Sequence, residues 1–145
     1  MVSDGALAGR CYCGSVRLHV TSEAEAVTYC HCVDCRRWTG APAPAFAAYR
    51  AADLTQEPRV RPVSHLPGVR RWFCRDCGSA LAAAFDYLPG QIYVPLGVLD
   101  RAADMRPTMH CHAGSALPWL HLDDGLARFD ASGRGALNQA YRTEE

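Results

Sequence analysis

The stretch GRCYCGSVR, residues 9–17, places two cysteines one residue apart and follows them with glycine. A second stretch of this kind, CRDCG at residues 74–78, also ends in Cys-Gly. Two chelating pairs supply the four thiolates of a tetrahedral structural zinc, and glycine after each pair lets the backbone turn tightly around the metal. The four predicted ligands are Cys11, Cys13, Cys74 and Cys77. We therefore predict a zinc ion that links the N-terminal strand to the middle of the chain.

Other interpretations of these cysteines remain open at this point. They could be two separate pairs buried in the core, because free cysteine is among the most buried residue types. The motif CRDC at residues 74–77 could instead have a thioredoxin-like redox role, although the βαβ pattern that accompanies such motifs is missing from the sequence. A disulfide framework built from the eight cysteines would require an oxidising compartment.

Length and charge narrow the class of protein. A chain of 145 residues fits one domain, so we expect a single zinc-binding domain over residues 1–145, with residues 131–145 as a loose polar tail. Lys plus Arg and Asp plus Glu balance at 15 each, so nucleic-acid binding is not expected. The N-terminus has no signal-peptide pattern and no stretch approaches the roughly 20 apolar residues that span a bilayer, so we expect no membrane association and a cytoplasmic protein.

Short, often alternating apolar stretches separated by Gly, Pro and Asp predict a mainly β fold. One short helix is predicted over residues 33–39, where Gly40 and Pro42 would end it. The predicted strands are residues 15–20, 26–30, 43–49, 70–74, 79–85, 91–97 and 108–113.

A third group of cysteines, formed by Cys30, Cys32 and Cys35, has no second pair to complete it. Three protein ligands and one exchangeable position are typical of a catalytic zinc. Three thiolates leave the centre formally negative, so it is a poor source of hydroxide and is better suited to an incoming thiol that binds as thiolate. We therefore predict a catalytic zinc on these three cysteines, which makes two zinc ions per chain.

The eighth cysteine, Cys111, is the remaining sulfur that could close this second site. It lies in a predicted strand, where a buried apolar side chain is the default, and the strand pattern puts it on the face opposite His110 and His112. The same alternation points His31 away from its two flanking cysteines. We therefore interpret His31 as a packed or surface histidine and not as a ligand.

Residues near the triplet supply candidates for substrate contacts. Arg36 and Arg37 could offset the negative centre or bind substrate carboxylates, and the alternative is a solvated turn. Trp38, Thr39 and Trp119 could line the pocket, although burial in the core is the ordinary interpretation of the two tryptophans.

The order of the cysteine motifs is that of a known family. GRCYCGSVR, CHCVDCRRWTGAP (30–42), FCRDCGSAL (73–81) and ALPWLHLDDGLARF (116–129) together resemble the glutathione-dependent formaldehyde-activating enzymes, a family that includes centromere protein V. The resemblance implies a mainly β zinc fold called a β-tent, with a structural zinc on the first and third motifs and a catalytic zinc on the second.

The resemblance also implies an activity, in which glutathione and formaldehyde condense to S-hydroxymethylglutathione, a reaction classed with carbon–sulfur lyases. The chain departs from relatives at Ala116, where they usually carry a basic residue, and at HCH, residues 110–112, which replaces a more aliphatic or aromatic strand. We expect a zinc enzyme that joins a thiol such as glutathione to a small aldehyde such as formaldehyde. The alternatives are a non-catalytic two-zinc module for a protein or nucleic-acid partner, its second zinc closed by Cys111 or His112, and a zinc hydrolase, which the all-sulfur ligand set disfavours.

Overall fold

The structure is a computed structural model in which residues 7–131 are described. This part of the chain contains ten strands, one α-helix and four short 3-10 turns, which confirms the predicted mainly β fold class with short helical turns. Among the described helices, none has the length and apolar character to cross a membrane. The single domain stays a prediction, and the predicted tail, residues 131–145, lies outside the described residues except for residue 131.

The strands are numbered in chain order. They are β1 (Leu7–Arg10), β2 (Arg17–Val20), β3 (Ala26–Cys30), β4 (Ala45–Arg50), β5 (Leu54–Glu57), β6 (Val69–Phe73), β7 (Ala80–Phe85), β8 (Gln91–Pro95), β9 (Met109–Cys111) and β10 (Ala127–Arg128). The helix α1 spans Val33–Thr39, and the 3-10 turns span Ala51–Asp53, Leu96–Val98, Ala102–Asp104 and Ala113–Ser115. A three-stranded sheet has the order β1-β2-β5, and a seven-stranded sheet has the order β10-β9-β3-β4-β8-β7-β6.

Every predicted strand is present, with ends within about two residues of the prediction, and the helix has the predicted bounds. The sequence analysis missed β1, β5 and β10. β1 contains a glycine, β5 has a single apolar residue, and β10 has two exposed residues, so none carries a readable apolar alternation.

The central strands β4, β7 and β8 of the seven-stranded sheet are buried on both faces. Along β4, Ala47 and Tyr49 belong to a core cluster that also contains Leu18 of the three-stranded sheet, so this cluster packs between the two sheets. Phe46 and Ala48 alternate with them and belong to a second cluster, whose buried cysteines are Cys30, Cys35 and Cys111. The second cluster places the candidate site on the face of the large sheet that is turned away from the small sheet.

The helix α1 is held at both ends by residues that the sequence singled out. Cys32 precedes its first residue, and the Cys32 Sγ atom accepts a hydrogen bond from the Cys35 backbone N–H at 3.2 Å. Gly40 ends the helix with a left-handed φ of 77° and donates its N–H to the Arg36 carbonyl oxygen at 2.7 Å. The predicted stop at Gly40 is confirmed.

Candidate metal centres and active site

Four cysteines converge where the turn after β1 meets the turn after β6. Their sulfurs all lie within 4.8 Å of one another, and the four are Cys11, Cys13, Cys74 and Cys77. The Sγ atoms of Cys11 and Cys13 are 3.6 Å apart, and those of Cys13 and Cys74 are 3.8 Å apart. Two sulfurs bound at about 2.3 Å to one tetrahedral zinc lie about 3.8 Å apart. The four thiols therefore fit a closed metal site.

The backbone around this cluster explains why the thiols converge. Cys11 and Cys13 lie in the turn that follows β1, where they still act as a pair. Gly14 and Gly78 follow the two pairs with left-handed φ values of 82° and 80°, as the Cys-Gly pattern predicted. The Val16 N–H points back to the Cys11 sulfur at 3.3 Å, which stabilises a thiolate there.

The acidity of two of these thiols supports metal binding. Burial opposes ionisation of Cys11, but the Val16 N–H and neighbouring groups hold its pKa below the ordinary value. Hydrogen bonds from the Ser79 side chain and backbone lower the pKa of Cys77 to about 6. Thiolate is the form that binds zinc, so the environment of these two sulfurs favours the metal-binding form.

A second cluster consists of Cys30, Cys32 and Cys35, whose sulfurs also lie within 4.8 Å of one another. Cys30 is the last residue of β3, Cys32 caps α1 and Cys35 lies in the first turn of the helix. Cys30 and Cys35 are buried, and Cys32 is half-buried. The structure thus brings together the three predicted ligands of the second site.

The three thiols of this cluster cannot all ionise without a cation beside them. Hydrogen bonds from its two neighbours lower the pKa of Cys32 to about 2, and the hydrogen bond to Cys32 raises the pKa of Cys30 far above its ordinary value. Ionisation of one of these thiols therefore opposes ionisation of the other two unless a positive charge lies beside them. A divalent cation with a preference for sulfur, such as zinc, fits this donor set.

The three-cysteine cluster forms part of the wall of a cavity of about 280 Å³. This volume lies near the lower end of the range for small-molecule sites. The apolar and aromatic lining consists of Phe46, Val69, Phe85, Tyr87, Leu88 and Tyr93. The other lining residues are Thr28, Asp34, Arg71, Cys111 and His112 together with the three cysteines. The site therefore combines a thiol-rich wall with an aromatic one.

Two tyrosines in this wall keep their protons. Burial and the charge of nearby cysteines raise the pKa of Tyr87 to about 12. Burial also raises the pKa of Tyr93, whose hydroxyl donates a hydrogen bond to Gln91 Oε1 at 2.7 Å. The hydroxyl of Tyr93 is therefore already used in a hydrogen bond within the protein, whereas Tyr87 contributes a neutral phenol to the lining of the cavity.

The two arginines predicted to contact the substrate lie on α1, outside the lining of the cavity. The Arg36 Nη1 atom donates hydrogen bonds to the backbone oxygens of His31 at 2.8 Å and Ser115 at 2.6 Å. Arg37 is exposed. Substrate binding by this pair stays a prediction, and the structure gives Arg36 a role in holding the backbone between Cys30 and Cys32.

The other predicted substrate contacts also lie outside the lining. Trp38 is half-buried and stacks on Phe46 with ring centroids 6.3 Å apart, and Thr39 Oγ1 donates a hydrogen bond to the Cys35 carbonyl oxygen at 2.8 Å. Trp119 is 64% exposed, so its interpretation as a core residue is wrong. It lies in a surface turn after β9.

We call residues 30–32, which connect β3 to α1, the ligand loop. Behind this loop, His31 and His110 form a buried pair. His31 Nε2 lies 2.8 Å from His110 Nδ1, and His110 Nε2 lies 2.9 Å from Asp124 Oδ2. The carboxylate can only accept, so His110 carries its proton on Nε2 and accepts at Nδ1 from the His31 Nε2–H. Burial lowers the pKa of His31, which keeps it neutral. The interpretation of His31 as a packed histidine is confirmed.

Cys111 lies beside the triplet without joining its convergent sulfurs. It is the direct register partner of Cys30 in the parallel pairing of β3 with β9, and it is buried. At His112 the backbone turns left-handed with a φ of 55°, which ends β9. Both Cys111 and His112 therefore line the cavity, and the prediction that they lie on opposite faces is wrong.

The sequence analysis missed most of the cavity wall. Arg71, Phe85 and Tyr93 come from three strands that lie far along the chain from the triplet. One signal was available for Arg71, because alternation along β6 places it on the same face as Val69. Which face of β6 meets the triplet depends on long-range strand pairing, which local patterns do not contain.

The fold and its two converging cysteine clusters define a small β protein that can bind metal ions at two places. In sequence, the chain belongs to the family described as glutathione-dependent formaldehyde-activating enzyme, which matches residues 6–115.

A curated relative and a solved structure are also similar to the chain. The relative is an uncharacterised lyase of Schizosaccharomyces pombe, 29% identical over 77 residues that make up 53% of this chain. The chain spans about half of that relative, since the match covers 56% of its length. A crystal structure of a Rhodobacter sphaeroides protein has a TM-score of 0.53 at 22% identity, over 83% of this chain and 97% of that one. This likeness supports the fold.

Proposed function

We propose that the protein is a zinc-dependent enzyme of the carbon–sulfur lyase type, which joins a thiol such as glutathione to a small aldehyde such as formaldehyde. The observation that carries this proposal is the convergence of three sulfurs at the wall of a small-molecule cavity, with no fourth sulfur of residues 7–131 in the cluster. Membership of the family supports the choice of thiol and aldehyde, and the name of the fission-yeast relative supports the lyase class.

The two clusters would have different tasks. The structural zinc would be held by Cys11, Cys13, Cys74 and Cys77, and the catalytic zinc by Cys30, Cys32 and Cys35. Bound by Cys30, Cys32 and Cys35, a zinc ion would lower the pKa of an incoming thiol, so that the thiol would be available as thiolate near neutral pH.

The chain's own residues would bind the substrates, exclude water and supply a hydrogen bond. The rings of Phe46 and Phe85 keep water from the reacting groups. The thiol gives its proton to the solvent, and the thiolate forms a bond to the carbonyl carbon as the C=O π bond opens. The carbonyl oxygen gains negative charge and then takes a proton back from the solvent. We assign to the Tyr87 phenol, which stays protonated, the hydrogen bond to this oxygen. The product is an S-hydroxymethyl thioether.

Metal analysis of the full chain tests this proposal. We expect two metal ions per chain, and in the cobalt-substituted protein we expect visible bands of tetrahedral sulfur coordination that shift when glutathione is added. Cys32→Ser should bind one metal fewer and lose the shift. Cys111→Ala should keep both metals and the shift, at a cost of about 1 kcal/mol in the free energy of unfolding. Cobalt bands that do not shift when glutathione is added would favour a closed, non-catalytic site. Loss of the second metal in Cys111→Ala would favour it as well.

A further inference from the structure

The cavity contains a cation that the proposed function does not use. Arg71 is the third residue of β6 and lines the cavity together with Val69. Arg70, between them, is exposed, and its guanidinium lies 5.7 Å from the ring centroid of Trp72. Because successive side chains of a strand point to opposite faces, only one of these two adjacent arginines faces the cysteine triplet.

The guanidinium of Arg71 lies against two aromatic rings, and the backbone of Arg71 is fixed by a neighbouring segment. Its Cζ atom lies 4.6 Å from the ring centroid of Trp38 and 5.6 Å from that of Phe85. Its backbone exchanges two hydrogen bonds with Val63, at 2.8 and 2.9 Å, which fixes this position of the strand. Contact with two aromatic faces restricts the planar group, so it is preorganised for a ligand. Trp38 therefore acts on the site through Arg71.

The donors of Arg71 are available for a ligand. Its Nη1 atom is buried, and no residue within 7–131 accepts a hydrogen bond from it. Asp34 lines the same cavity, yet the ion pairs of the described residues do not include one between Asp34 and Arg71. A buried guanidinium donor without an acceptor is costly, and a substrate group would remove that cost. Arg36 differs, because its Nη1 already serves two carbonyl oxygens.

The chemistry of the guanidinium selects the ligand group. Its parallel N–H donors match a carboxylate, which can accept two of them at once. Arg71 and the three cysteines of the triplet line the same cavity. A carboxylate at Arg71 and a sulfur at the triplet would therefore belong to one molecule, and the cavity of about 280 Å³ limits the number of atoms between them.

We propose that Arg71 binds a carboxylate of the thiol substrate, so that the cavity selects small mercaptocarboxylates or the mercaptocarboxylate part of a larger thiol. This inference rests on the proposed function, because it specifies the charge of the thiol that the triplet receives. It moves the predicted carboxylate contact from α1 to β6.

Two matched probes test the inference on the metal-loaded full chain. 3-Mercaptopropionate carries a carboxylate, and 3-mercapto-1-propanol replaces it with a hydroxyl at similar size. Isothermal titration would measure both Kd values for the unsubstituted protein, Arg71→Gln, Arg71→Lys and the neighbouring control Arg70→Gln. Comparing each probe between proteins removes the difference in acidity between the two thiols.

We expect Arg71→Gln to weaken 3-mercaptopropionate at least tenfold and the alcohol less than twofold. Arg71→Lys, which keeps the charge but loses the paired donors, should show a smaller loss. Arg70→Gln should resemble the unsubstituted protein for both probes, and all variants should keep two metal ions. Arg71→Lys supplies the comparison if Arg71→Gln does not fold.

The outcomes separate this inference from the proposed function. Equal losses for both probes in Arg71→Gln, or no loss for either, would overturn the role of Arg71 alone, because thiol binding itself would still be observed. If neither thiol alters the cobalt bands of the unsubstituted protein, the proposed function fails and the role of Arg71 fails with it.

Discussion

A glycine can be required because a neighbouring backbone atom occupies the space that a Cβ atom would need. Gly9 lies in β1 opposite Leu18 and forms a bridge to Leu99 of a neighbouring segment. A Cβ atom at residue 9 would lie 2.5 Å from the Val98 carbonyl oxygen, which is backbone and cannot rotate away. Gly97 is one position from Val98 and has open space around the corresponding point. The sequence marks both as glycine and does not distinguish these two roles.

We predict that Gly9→Ala lowers the free energy of unfolding by about 1–3 kcal/mol, the usual cost of forcing an extra atom into a packed region. Gly97→Ala is the matched control and should change it by less than about 0.5 kcal/mol, as surface substitutions usually do. Urea unfolding of the two variants beside the unsubstituted protein would measure the difference. Equal effects of the two substitutions would contradict the close approach of β1 to residue 98.

At the level of elements, β9 and the ligand loop depend on each other. The His31 backbone N–H donates to the Cys111 carbonyl oxygen at 3.0 Å, and the His31 and His110 rings are joined by their hydrogen bond of 2.8 Å. Asp124, from the segment that leads into β10, accepts from His110. The loop that carries two of the three candidate ligands is thus held by a chain of polar contacts that ends at a carboxylate.

We predict that Asp124→Ala speeds the loss of the second metal to a chelator several-fold. Removal of a direct outer-shell partner typically costs about 10–100-fold in metal affinity, and Asp124 is one step further from the ligands. Asp123→Ala, at the exposed neighbouring residue, should leave the rate unchanged. Stopped-flow release of cobalt would measure it, and the prediction fails if both variants release metal at the rate of the unsubstituted protein.

The arrangement of strands also explains why the sequence predicted the cysteine ligands but not the residues that line the cavity. The ligands follow from spacings of one or two residues, as between Cys11 and Cys13 or Cys74 and Cys77, because chelation by such pairs is local. Arg71 and Tyr93 reach the cavity through the successive pairing of β6 with β7, β7 with β8 and β8 with β4, and the register of those strands is a property of the whole sheet. The bend at His112, a non-glycine residue with positive φ, has no sequence signal.

At the scale of the whole molecule, the two clusters connect different parts of the fold. Cys11 and Cys13 follow β1 of the three-stranded sheet, and Cys74 and Cys77 follow β6 at the edge of the seven-stranded sheet. A metal on these four thiols would therefore join the sheets. The triplet involves only the end of β3 and the start of α1, so a metal there would join elements that are already neighbours in sequence.

We predict that Cys74→Ser gives unfolded or insoluble protein, whereas Cys32→Ser stays folded with one metal fewer. The apparent binding free energy of a structural zinc, about 10–16 kcal/mol, is comparable to or larger than the whole stability of a domain, about 5–15 kcal/mol. Circular dichroism and the metal-to-protein ratio of the two variants would decide. Equal collapse of both, or unchanged metal content in both, would contradict this division.

The family match ends at residue 115, but the contacts that complete β9 come from beyond it. Phe129 donates its N–H to the His110 carbonyl oxygen at 2.9 Å, and Asp124 orients the His110 ring. A chain truncated after Ser115 would retain all eight cysteines and every residue that lines the cavity. However, β9 would pair only with β3 and become an edge strand, and its buried histidine would lose its carboxylate. The stretch covered by the family match is therefore shorter than the hydrogen-bonded unit, and a shortened version of this protein has to retain Asp124 and Phe129 as well as residues 6–115.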